Sequence, residues 1–176
     1  YGAYTEGDGA VTNNSVTISG SAAEVDREVF GAYTEGSGAV TNNKVIIGGM
    51  AETSRDPVAG ALSQGSGTVA YNSVTATGGN IYSIFGGGSA EGIAEYNSVT
   101  VEGDTIIEDS VGGAAALEGV ARHNSVTISG TAEIKGKVFG GKIETSSSGD
   151  LIDNSVMISG GSIRGEVYGA YTEGDG

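Results

Sequence analysis

Aliphatic and polar residues alternate in one short segment that recurs six times: Ser15-Val16-Thr17-Ile18, Lys44-Val45-Ile46-Ile47, Ser73-Val74-Thr75-Ala76, Ser98-Val99-Thr100-Val101, Ser125-Val126-Thr127-Ile128 and Ser155-Val156-Met157-Ile158. A period of two predicts a strand buried on one face. An asparagine leads each copy (Asn14, Asn43, Asn72, Asn97, Asn124, Asn154), and a glycine follows it (Gly20, Gly49, Gly78, Gly103, Gly130, Gly160). The asparagines recur every 25 to 30 residues, a solenoid period.

Two further segments share that period. One runs from Val25 to Val29-Phe30-Gly31-Ala32-Tyr33, with counterparts at Ile134 to Gly140 and Ile163 to Gly169. Its marker is an aromatic or aliphatic residue followed by glycine, giving a second column at Gly2, Gly31, Gly60, Gly86, Gly112, Gly140 and Gly169. The other is the pair Val11-Thr12, Val40-Thr41, Val69-Ala70 and Leu151-Ile152 just ahead of the asparagines. Three short strands per repeat predict an all-β parallel β-helix of about six rungs, each rising about 4.8 Å. Its coil is expected to be right-handed, because crossovers between parallel strands overwhelmingly are.

Stacking gives each column a physical meaning. Val16, Val45, Val74, Val99, Val126 and Val156 form an internal aliphatic ladder, and the asparagines form an amide ladder at a corner. The phenylalanines Phe30, Phe85 and Phe139 are expected to stack inside the solenoid. Tyr4, Tyr33 and Tyr171 are candidate surface contacts for a sugar or a protein.

Composition narrows the function. The 176 residues are read as one solenoid segment, 1–176, that starts and ends within a rung, on the same nonapeptide YGAYTEGDG, and so as a piece of a longer array. Cysteine is absent, which removes disulfides and thiolate metal sites. A net charge of −14 opposes a phosphate backbone, so nucleic acid is not an expected partner. No apolar run is long enough to predict membrane insertion of this segment.

Candidate chemistry is sparse. Glu6, Glu35, Gln64, Glu144 and Glu173 share a column, and a cation between stacked acids would relieve their repulsion. Calcium suits such oxygen ligands, but the nonapeptide calcium repeat is absent, so the expectation is no cofactor, with calcium on this column as the open alternative. The cluster Glu24, Asp26, Arg27 and Glu28 and the pairs Arg55-Asp56 and Glu108-Asp109 each occur in one rung. They read as solvated charge and not as a paired-carboxylate active site. His123 occupies a variable position before Asn124, is expected to be exposed, and has no recognisable Ser or Cys partner.

The NSVTISG element followed by VFG or VYGAY resembles the passenger repeats of bacterial autotransporter-type surface proteins. The resemblance covers all six rungs. It implies secretion through an outer membrane, a rod-like passenger at the cell surface or outside the cell, and a role in adhesion, aggregation or biofilm. The expected function is that of a nonenzymatic structural or adhesive segment, its partners being further copies of the repeat end to end and surface glycans or proteins. The alternatives are a stacking subunit of an extracellular filament and a carbohydrate-active β-helix.

Overall fold

The computed structural model describes residues 1–21, 23–53, 55–144 and 149–172, and no helix occurs among them. The described chain coils into a parallel β-solenoid of about six turns. Every strand pairing is parallel, in a register that places equivalent residues of successive turns over one another: Val16 pairs Val45, then Val74, Val99, Val126 and Val156.

Each turn carries four sheet segments where three strands were expected. In chain order these are a lead-in strand (Val11–Thr12 in the first turn), the valine face (Ser15–Ile18), a short face (Glu24–Val25) and an aromatic face (Val29–Phe30 with Tyr33–Thr34). The segment read as one strand from Val25 to Tyr33 is therefore two. Asp26, Arg27 and Glu28 turn the chain between them, all three exposed, because charged side chains at an outer corner keep their hydration.

Two apolar clusters fill the coil. In the larger, the valine face meets the short face (Ile81, Ile107, Ile134) and the first leg of the aromatic face (Val29, Val58, Ile84, Val111, Val138). In the smaller, Val11, Val40 and Val69 of the lead-in strands meet Ala32 and Ala61.

A glycine column divides the two. At Gly60 an added Cβ would lie 2.9 Å from the Ser73 amide nitrogen across the coil, and against the carbonyl oxygen of Gly86 in the next turn. The rung is pinched there until backbone meets backbone, which leaves no room for a side chain.

This column runs Gly2, Gly31, Gly60, Gly86, Gly113, Gly140, Gly169, so the sequence-based assignment of Gly112 is corrected to Gly113. Gly112 instead pairs with Phe85 on one side and Phe139 on the other. Another correction concerns the glycines closing the valine face. In two of the turns the left-handed φ falls on Gly79 (93°) and Gly161 (84°), not on Gly78 and Gly160.

Candidate functional site

The asparagine corner is built by an unusual backbone. The residue before each anchor has a positive φ: Asn13, Asn42, Tyr71, Tyr96, His123 and Asp153, between 49° and 62°. This left-handed step turns the following asparagine into the coil. Asn43 Oδ1 accepts from both the amide (3.0 Å) and the Nδ2 (2.9 Å) of Asn14. Its own Nδ2 donates to Asn72 Oδ1 (3.0 Å) and to the Val11 carbonyl (3.1 Å). Asn72, Asn97 and Asn124 repeat the pattern, and all four are buried. Both lone pairs and both amide protons are used, so this corner has no capacity left for a ligand.

Outside the same corner the left-handed residues form their own stack. The Tyr71 and Tyr96 rings lie 5.0 Å apart at 3°, and the Tyr96 and His123 rings 4.8 Å apart at 12°. His123 Nδ1 sits 3.7 Å from the Asp153 carboxylate. Tyr71 and Tyr96 are 56% and 43% exposed. Asn, Asp and His tolerate positive φ and so hint at this corner in the sequence, whereas a bulky tyrosine gives no such signal.

The aromatic face holds the remaining candidates. Phe30, Phe85 and Phe139 do not stack inside the solenoid. Their neighbours Val29, Ile84 and Val138 belong to the interior cluster, and alternation turns the phenylalanines outward. They are sheltered by other rings: Tyr33 stacks on Phe30 at 5.6 Å, and Tyr171 lies 6.5 Å from Phe139.

Tyr4 and Tyr33 stack one turn apart at 5.6 Å and 10°. Their column continues through Leu62, Gly88, Ala115 and Lys142 to Tyr171. Tyr4 is exposed, while Tyr33 and Tyr171 are half-buried. Burial raises the Tyr33 pKa above the ordinary phenol value, and a hydrogen bond to Glu166 does the same for Tyr168.

Where the column shrinks to Gly88 and Ala115, the outer surface sinks into an apolar groove of about 240 Å³. Phe30, Phe85, Leu62 and Leu117 line it, and Gln64 and Glu144 stand among its polar groups. Sequence reasoning missed this groove. Phasing the turns on Gly113 would have aligned Leu62, Gly88 and Ala115 and shown the loss of aromatic side chains.

The acidic column is interrupted. Backbone hydrogen bonds place Ala90 and Leu117 between Gln64 and Glu144, and Glu173 lies outside the described residues. At its start the Tyr4 hydroxyl donates to Glu35 (2.9 Å) and to Glu6 (3.2 Å), satisfying two stacked carboxylates with one proton donor. These bonds, that to Glu35 foremost, raise the Tyr4 pKa well above the usual phenol range.

The single-rung charges remain apart from the groove. Glu24, Asp26, Arg27 and Glu28 are exposed, as is Arg55, and Glu108 is held by Lys135 at 2.7 Å. Among the described residues no group of three or more His, Asp or Glu side chains is arranged to hold a metal ion. Comparison with protein-family models, with curated proteins and with solved structures found no match.

Proposed function

We propose that this segment is a nonenzymatic structural and adhesive element of a bacterial cell-surface or extracellular fibre, of the autotransporter-passenger type. The observation that carries this reading is the saturated asparagine ladder. Its amides link every turn to the next, so the ladder commits this polar interior column to axial rigidity and leaves contacts to the outer side chains. Tyr4, Tyr33 and Tyr171 on the aromatic face are the residues through which it would meet a surface glycan or protein.

The test is display of residues 1–176 on a non-adherent bacterium, with binding to glycans and to host-cell surfaces measured. Binding that falls when Tyr4 and Tyr33 are replaced by alanine is the expected result. Display with no gain in adhesion or aggregation would remove the adhesive part of the reading.

A second reading, a subunit stacking end to end in a filament, draws on the parallel pairing itself, whose register repeats unchanged from turn to turn and would accept a further copy in the same way. Electron microscopy separates the readings: stacked subunits give filaments that lengthen with protein concentration, and a passenger gives rods of constant length.

A further inference from the structure

The chain contains no cysteine, so oxidation cannot join its turns through sulfur, yet it stacks tyrosines from successive turns directly over one another. Tyr71 and Tyr96 are the best placed. Their rings lie 5.0 Å apart and are parallel to within 3°. The two backbones share one conformation (φ 57° and 52°), so the ring carbon beside one hydroxyl faces its equivalent about 4.8 Å away, one rung of the stack. Both side chains stand outside the asparagine corner with about half of their surface in water. They are open to an oxidant and free to tilt toward each other. Among the described residues neither hydroxyl is tied to another protein group, whereas Tyr4 is held by Glu35 and Tyr171 by Lys137.

We infer that one-electron oxidation joins Tyr71 to Tyr96 through a carbon–carbon bond between the ring positions beside their hydroxyls, a covalent staple between two turns. The oxidant is of the class that draws single electrons from phenols, a haem peroxidase consuming hydrogen peroxide. Each phenol gives up one electron and its hydroxyl proton, and the two radicals pair to form the new bond. The hydrogens on the bonded carbons then move to the oxygens, which restores both phenols. The two rings together lose two hydrogens, and one hydrogen peroxide is reduced to two waters.

The stack favours this link over the joining of separate molecules. Groups held in contact react as if at very high concentration, whereas copies that each carry a net charge of −14 repel one another. The other pair stacked between turns is less suited, because Tyr33, which lies on Tyr4, is half-buried and also covered by Phe30. A bond from Tyr71 to Tyr96 closes a loop of 25 residues and restricts the unfolded chain, as a disulfide does. It needs no cell surface and so stands apart from the adhesive reading.

Treatment of residues 1–176 with peroxidase and limiting hydrogen peroxide, followed by denaturation and cleavage after glutamate, tests it. Glu91 and Glu95 lie between the two tyrosines, so mass spectrometry shows the link as the Tyr71 peptide joined to the Tyr96 peptide, lighter by two hydrogens. Oxidation of the exposed Met50 and Met157 adds oxygen instead and is told apart by mass. The joined pair is expected in the monomer, at a yield at least about tenfold above that of the chain oxidised in urea. The linked monomer should unfold at a higher urea concentration.

Tyr71→Phe and Tyr96→Phe keep the ring stack and should each abolish the link, while Tyr82→Phe, on the same peptide as Tyr71, should leave it unchanged. The comparison of wild type with and without urea needs no variant at all. Oxidised monomer that lacks this peptide pair overturns the inference. So does an equal yield in urea, a link found only between molecules, or one that joins Tyr96 to its other stacked neighbour, His123. An unchanged urea midpoint in the linked monomer overturns the staple.

Discussion

The rings of Phe85 and Phe139 belong to turns two steps apart along the solenoid, yet their centroids lie 5.9 Å from each other. Gly112, in the turn between them, makes this possible: a Cβ there would meet the edge of the Phe139 ring and lie 2.8 Å from the Phe85 ring. The column alternates large and small, Phe30, Ala59, Phe85, Gly112, Phe139, so that each ring spreads over a vacancy. Neighbouring Gly113 serves the opposite side, where a Cβ would lie 2.9 Å from the Ser125 amide and against the Gly140 carbonyl.

The two glycines are therefore separable by one substitution each. Gly112→Ala pushes only against ring atoms that can swing outward, and costs about 1 kcal/mol. Gly113→Ala pushes against backbone on two sides and costs about 3 kcal/mol. Urea midpoints at unchanged slope measure the difference. Equal losses would mean the pinch at Gly113 is not the tighter constraint.

Replacing Asn97 tests the amide ladder at its centre. Asn97→Ala leaves the buried Asn72 backbone amide without its acceptor and removes one partner each from the Asn72 Nδ2, the Asn124 Oδ1 and the Val69 carbonyl, and should lower stability by about 3 kcal/mol. Asn97→Asp is expected to be at least as damaging, because a carboxylate faces two acceptors to which the amide donated. A loss below about 1 kcal/mol for either would show that the ladder contributes little.

Left-handed backbone at Tyr96 predicts an inverted ranking of substitutions. Tyr96→Gly relieves φ strain while losing two ring contacts worth about 0.5 to 1.5 kcal/mol each, and should stay within about 1 kcal/mol of wild type. Tyr96→Val keeps the strain, adds a β-branch, and should cost about 2 kcal/mol. Thermal melts of the pair decide it. Valine proving the milder change would contradict the backbone geometry.

Alkaline pH should loosen the first turn. The Tyr4 phenol has a folded pKa raised above its unfolded value, chiefly by its hydrogen bond to Glu35, because ionisation would put a phenolate beside carboxylates. Its stabilising contribution is thus complete below the ordinary phenol pKa of about 10 and is lost as pH rises through the folded value. Ultraviolet titration of the eight tyrosines should show a late-ionising fraction that Glu35→Gln moves down toward the ordinary range. Tyrosines that all ionise together near the ordinary value would refute the arrangement.

Much of the solenoid is legible in the sequence. Asn14 to Asn154 and Val16 to Val156 occupy columns whose chemistry is dictated turn by turn, since a parallel stack sets like against like. The same logic failed at Val111-Gly112-Gly113, where two glycines follow an aliphatic residue and the local pattern cannot say which is pinched. It failed again at Phe30, Phe85 and Phe139, because a hydrophobic ring reads as interior whichever way it points.

The sequence by itself determined the period, the ladders and the all-β coil, because each of these repeats in one dimension and every rung restates it. Only the tertiary structure decided that each turn has four sheet segments, that the coil is pinched into two cores, and that the phenylalanines face outward. It alone brought Leu62, Gly88 and Ala115 together as a groove. The physical reason is that such features depend on which backbones meet across the coil and on where side chains are missing. A vacancy shared by residues some 26 positions apart along the chain has no local signature; it exists only once the turns are stacked.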